Sequence, residues 1–250
     1  MSVGVCCISH NHAHLPIWRP AWANRLTDLV ICLLQGQPAY LFQPAHIASH
    51  HRYNQGYRDI TRVAQYSTGN NLLGYLVFPF QVLGALNELK RSYLRTLWLH
   101  DRRRVCWIAL QHLLLFVLWA VAFSLDAWRA LVYVVVPQFV ALHFLLASNY
   151  LQHAHAAPSS RYNHSRNFVG PINLFWFNVG YHTAHHEDDR LHWTALPAAH
   201  AKISGSIDPR LMEPSLVVYV LRTLCLGVVL SRFRSRQMPS PFDPEETAPD

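Results

Sequence analysis

Four clusters of histidine carry the chemistry that this chain could perform. HNHAH places His10 and His14 four residues apart, and HIASHH supplies His46, His50 and His51. NYLQH pairs Asn149 with His153 at the same spacing, and HTAHH supplies His182, His185 and His186. Spacings of three and four put side chains on one helical face, about 5–6 Å apart at Cβ. Two imidazoles of one helix can then grip one metal ion while a neighbouring histidine reaches a second. Neutral imidazole offers a nitrogen lone pair near pH 7, which makes histidine the commonest metal ligand. Nine imidazoles exceed the four ligands of a zinc site and suit two metals sharing a cage. Imidazole alone does not choose among iron, zinc and copper. Neither H-E-x-x-H nor a paired-carboxylate helix motif occurs. Read singly, each cluster is equally well a surface or capping feature, or a lone zinc site.

The neighbouring residues divide by position. His12 is about 200° around a helix from His10 and is expected to face elsewhere. His112 and His143 lie inside apolar runs, where interhelical hydrogen bonding is the commoner use. His155, His164, His192 and His200 are expected behind the ligands or on the surface. Glu187, Asp188 and Asp189 directly follow the last cluster and could accept the second N–H of an imidazole. For Asp188 and Asp189 a solvated turn serves equally well. Phe175, Trp176 and Phe177 fit an acyl path or an interfacial aromatic belt.

The elements that must position these side chains read as membrane helices. Of 250 residues, 51 % are hydrophobic and 14 % charged, against about 25 % charged in ordinary globular domains. Segments 105–125 and 130–148 are each uncharged for about the 20 residues that a crossing needs. The link DAWR makes them a transmembrane hairpin with both outer ends on one side. DRRR at 101–104 assigns that side to the cytoplasm by the positive-inside rule. Asn149 and the segment that follows then start at the cytoplasmic face.

Other segments are shorter or interrupted. Residues 72–86 form a short apolar run holding Pro79 and read as interfacial or re-entrant. Residues 26–43, broken by Gly36 and Pro38, read as a surface-lying or buried helix. Residues 214–230 carry Arg222 in mid-run, which argues for an interfacial or protein-packed helix. MSVGVCCIS is too short, and lacks the basic start, for a cleavable signal peptide. Residues 1–230 are expected to form one membrane domain, and the Pro-rich stretch 231–250 a disordered tail. The net charge of +7 comes from arginines beside apolar runs, with no nucleic-acid recognition motif. None of the five cysteines forms a C-x-x-C pair, so neither a disulfide framework nor a zinc ribbon is expected.

The order HxxxH, HxxxHH, NYxxH, HxxHH resembles the membrane fatty-acid desaturase and hydroxylase superfamily. HNHAHLPIW and NLFWFNVGYHTAHHE are most similar to its bacterial fatty-acid desaturases; HIASHH and NYLQH are also similar to alkane hydroxylases. The resemblance runs from about residue 8 to about residue 200. It implies an all-α integral membrane helical bundle with a non-haem di-iron centre at the cytoplasmic face. Two Fe ions would be held by His10, His14, His46, His50, His51, His153, His182, His185 and His186. Asn149 would meet a metal through water, and Glu187 would orient an imidazole. The family places two membrane helices before its first cluster, whereas nine residues precede His10 here. The chain is therefore expected to be a minimal form or to begin inside a longer reading frame.

The activity implied is O2-dependent oxidation of an unactivated C–H bond in a fatty acyl or similar lipid chain, first of all desaturation. An alkane, fatty-acid or carotenoid hydroxylase is the alternative within the superfamily. A non-catalytic metal-binding membrane protein or inactive truncated relative is the alternative outside it. A transporter would place ionisable groups along a path inside the spans, which the clusters do not. No H-P-G-G and no cysteine-rich motif occurs, so a separate electron donor of ferredoxin, rubredoxin or cytochrome b5 type is expected. Partners are thus the lipid substrate, that donor and the membrane, with no nucleic acid.

Overall fold

The computed structural model describes residues 2–239, and the regular structure of these residues is helical apart from two strands of two residues each. The first cluster sits on α1 (Ser2–His14) and is followed by α2 (Ala21–Gln35). Gly36 ends α2 in the left-handed region, φ 79°, and donates its N–H to Cys32 O. Such a position favours glycine. The second cluster lies on α3 (Gln43–His51), a wide helix of π type. Next come α4 (Leu72–Gln81), started by Asn71 accepting from Gly74 N, and α5 (Leu83–His100). Helix α6 (Arg102–Leu125) is capped by Asp101 and α7 (Ala127–His153) by Asp126, each accepting a backbone N–H three residues on. The C-terminal part adds β1 (Asn167–Phe168), α8 (His182–Glu187), α9 (Leu196–Ile203), β2 (Met212–Glu213) and α10 (Leu216–Val229).

Among the described residues, three helical stretches are long and apolar enough to cross a membrane: Leu72–His100, Arg102–Leu125 and Ala127–His153. The last two are the hairpin expected from the sequence, joined at Asp126. Their outward side chains, among them Leu113, Phe116, Val121, Phe139 and Val140, are exposed as lipid-facing residues should be. The first stretch corrects the reading of 72–86 as a short apolar piece. The helix continues through Glu88, Leu89, Lys90, Arg91 and Leu94 to His100. These are strong helix formers, but their charges interrupt the apolar run. Helix α10 falls short of the roughly 20 residues a crossing needs. Its Arg222 guanidinium donates to Glu213 Oε1 at 2.7 Å.

The chain divides into two compact units. The first comprises Met1–Ile47 and Gly84–Leu145. Val5, Ile31 and Ala39 form one of its cores with Ile8 against them, and Tyr40 and Ile108 another beside Tyr93, Leu94 and Leu97. Buried Gln138 fastens α7 to α2 by donating to Leu33 O at 2.8 Å, while accepting from Trp119 Nε1 at 2.9 Å.

The second unit comprises Ala48–Leu83 and Leu146–Asp250. Its core gathers Ala156, Ala157, Ile207, Leu211 and Met238. The expected disordered tail needs correction as far as Pro239. Met238 is buried in that core, its N–H donates to His155 O at 3.0 Å, and Gln237 donates to Ala156 O at 2.7 Å. The remainder of 231–250 lies outside the described residues.

The strands pair in parallel, Asn167 with Met212 and Phe168 with Glu213, and they anchor the approach to α8. Phe168 N donates to Gly180 O at 2.9 Å, and Asn173 bridges Phe168 O to Gly180 N. Phe177 and Asn178 adopt left-handed φ values of 49° and 62° that turn the chain into α8.

Candidate metal centre

Within the second unit, α3, α7 and α8 bring four imidazoles to one point. His50, His153, His182 and His186 each offer a nitrogen, and these nitrogens all lie within 4.8 Å of one another. The Nε2 atoms of His153 and His182 are 3.0 Å apart, and those of His182 and His186 are 3.1 Å apart. The His50 ring lies 4.8 Å from His153 and 4.9 Å from His186. All but His186 are almost fully buried. Helix α8 supplies two of the four because four residues make slightly more than one turn. Its own position is set by Thr183, whose N–H donates to Asn167 Oδ1 and whose hydroxyl accepts from Asn167 Nδ2.

The remaining predicted ligands also group, each within its own unit. In the first, His10, His14 and His46 offer nitrogens within 4.8 Å of one another, with ring centroids 4.6–5.1 Å apart. In the second, the His51 and His185 rings lie 4.8 Å apart, and His51 stacks on His186 at 4.3 Å.

The donor set fits a metal ion. Two imidazole nitrogens, each about 2.0–2.1 Å from one ion and 90–110° apart, are separated by about 3.0–3.4 Å. The observed 3.0 and 3.1 Å agree. Nitrogens gathered at that distance suit a shared cation, or an N–H of one neutral imidazole donated to the lone pair of the next. Burial, and then His51, His182, His50 and His153, hold His186 well below the ordinary histidine range. The far nitrogens are held as well. His153 Nδ1 donates to His164 O at 2.9 Å, and His50 Nδ1 lies 2.8 Å from Asp59 Oδ2. Burial alone would raise the Asp59 carboxyl, but His50 and Thr61 outweigh it and keep it below the usual carboxylate range. Burial pushes the thiols of Cys6, Cys7 and Cys32 up to about 12. They stay protonated at neutral pH.

The family described as fatty acid desaturase matches residues 1–213. The chain belongs to the fatty acid desaturase family. A sphingolipid delta(4)-desaturase of Candida albicans is 24 % identical over 223 residues, 80 % of this chain and 58 % of that relative. One of Komagataella phaffii is 38 % identical over 61 residues, 24 % of this chain and 16 % of the relative. The chain thus spans at most 58 % of the length of these curated relatives. No solved structure matches it.

The side chains around the histidines depart in places from the expected roles. Asn149 donates to Thr61 O at 2.6 Å and accepts from Gln55 Nε2 at 3.2 Å. Glu187 takes both Nε and a terminal nitrogen of Arg161, at 3.0 and 2.9 Å. Asp188 caps an exposed turn by accepting from Arg190 N. His12 accepts from Ile17 N and approaches Asp28 at 3.4 Å, away from the cluster role. His112 contacts a carbonyl of its own helix, Ile108 O, at 2.9 Å. His155 sits between Thr68 O and Ser235 O, His192 contacts Thr194, and His200 packs on Tyr181. Of the aromatics, Trp176 is buried against Phe168, Phe175 is exposed, and Phe177 meets Trp193. Sequence reasoning missed Asp59 and the backbone of His164. Asp59 had one available signal: it is the sole acid between Asp28 and Glu88.

Proposed function

We propose that this chain is a membrane lipid desaturase, removing two hydrogens from adjacent carbons of a fatty acyl or similar lipid chain. Residues 1–230 act as its catalytic membrane domain. The observation that carries this reading is the convergence of His50, His153, His182 and His186 from three separate clusters. Two Fe ions are held by His10, His14, His46, His50, His51, His153, His182, His185 and His186. When bound, non-haem iron supplies the redox chemistry that O2 reduction requires. In balance, the carbon pair gives up two hydrogens, and O2 takes these with two electrons and two further protons to leave two waters.

The protein's part is positional. Imidazoles with Nδ1 tied down, at His50 and His153, present Nε2 to the cluster in one orientation. Burial shields the nitrogens of His50, His153 and His182 from water, and it holds His153 and His186 well below the ordinary histidine range. Helices long and apolar enough to cross a membrane support a substrate chain that reaches the site from lipid. The arginines of DRRR support a metal face on the cytoplasmic side, where a carrier of ferredoxin, rubredoxin or cytochrome b5 type supplies electrons.

The test is expression in a host followed by lipid mass spectrometry and iron analysis. A product lighter by two hydrogens, absent with His182→Ala, is the expected result. A product heavier by one oxygen would replace desaturation with hydroxylation. Unaltered lipids from iron-loaded protein given a working electron donor would identify a non-catalytic metal binder.

A further inference from the structure

The loop after α3 does more than join two helices. Left-handed turns at Asn54 (φ 39°) and Gln55 (φ 65°) send the chain back toward the helix it has just left. Asp59 thereby returns to His50, nine residues earlier, and buries completely. Its carboxylate accepts from Gln55 N at 2.9 Å, Thr61 N at 2.8 Å and Thr61 Oγ1 at 2.7 Å. Arg52 and Arg58 flank it in sequence but are exposed, and among the described residues no lysine or arginine pairs with it. A carboxylate removed from water without a cation is strongly disfavoured unless positive charge is supplied nearby. Among the described residues, the basic side chain that touches Asp59 is His50.

We propose that Asp59 is the positioning residue of this metal site: by accepting from His50 Nδ1 it turns His50 Nε2 toward the metal and strengthens it as a donor. A carboxylate can only accept, so the hydrogen must reside on Nδ1 and the lone pair on Nε2. His153 is fixed by a neutral carbonyl, whereas His50 is fixed by a charge, which matches the charge of a metal cation across the ring.

Asn149 belongs to the same device. It donates to Thr61 O and accepts from Gln55, whose own Oε1 accepts from Val63 N at 2.7 Å. One face of α7 therefore carries the ligand His153 and, one turn earlier, the anchor of the loop that holds Asp59. In this arrangement Asn149 acts on the loop rather than on a metal. The inference rests on the proposed metal site.

The experiment is metal titration of the full chain in detergent micelles, using Co(II) with a competing chelator, alongside thermal unfolding. Asp59→Asn is nearly isosteric and removes the charge. It should lower affinity about 10–100-fold and shift the Co(II) absorption bands at saturation, which mere loosening of the loop would not do. Asn149→Ala and Thr61→Val keep the carboxylate and should lower affinity by a smaller factor; they carry the test if Asp59→Asn does not fold. Wild-type affinity and spectrum in Asp59→Asn, or in both milder variants where Asp59→Asn does not fold, would overturn the proposal. His186→Ala separates the two readings. If it weakens binding while the Asp59 variant does not, the metal site stands and the positioning role falls. If wild-type protein binds no metal, the metal site itself falls.

Discussion

A histidine whose folded pKa lies below its unfolded one carries a pH signature. His186 is depressed from an ordinary value of 6.5 by burial and its histidine neighbours, and His164 is depressed chiefly by burial. Below that value the unfolded chain binds protons that the folded chain refuses. Stability of metal-free protein should therefore be fully present above about pH 6.5 and fall as acid is added. Metal retention should fall in the same window, because protons and metal compete for the same nitrogens. Thermal unfolding of chelator-treated protein at about pH 5.5 and 7.5 checks the first expectation, and equal midpoints would contradict it. At this scale the histidines of the four clusters were legible because ligand spacing is local. Asp59 was not, because its partner is chosen by two left-handed residues in a loop, and such a return path leaves no periodic mark.

Between clusters, the elements rely on a few close approaches. Gly180 precedes α8 by two residues. A Cβ there would lie 2.4 Å from both Phe168 O and Asn173 Oδ1. One of these is backbone in the strand pair and cannot yield without breaking it. Gly180→Ala should therefore destabilise by about 1–3 kcal/mol and displace His182 and His186, so that metal content drops while helical content by circular dichroism persists. Gly205→Ala, where nothing lies within 4 Å, is the control and should change neither. Retained metal in Gly180→Ala would show that α8 tolerates the shift. The hairpin α6–α7 was legible because two long uncharged runs leave little alternative. The extension of α5 was hidden by charges that a helix exposes at no penalty, and the order of 231–239 by a polar composition that conceals one buried methionine.

For the whole molecule, the cluster constrains the number of crossings. His50 precedes all three candidate spans and His153 ends the last, yet their rings are 4.8 Å apart. Three crossings between them would put the two histidines on opposite sides of the bilayer. An even number is required, so one of the three stretches does not cross. Leu72–His100 is the least apolar, with a mean hydropathy of 1.4 in its best window against 2.1 for the others. Glu88, Lys90 and Arg91 fall near its middle, where a charge costs about 2.5–3.5 kcal/mol on insertion scales. It should lie along one face, with α6 and α7 as the crossing pair. Single cysteines at Tyr57, Asp101, Asp126 and Ser159, in a chain stripped of its five native cysteines, can be labelled in sealed vesicles with an impermeant maleimide. Tyr57→Cys, Asp101→Cys and Ser159→Cys should react from one side and Asp126→Cys from the other. If Tyr57→Cys and Asp101→Cys react from opposite sides, Leu72–His100 crosses, and His50 and His153 cannot serve one metal.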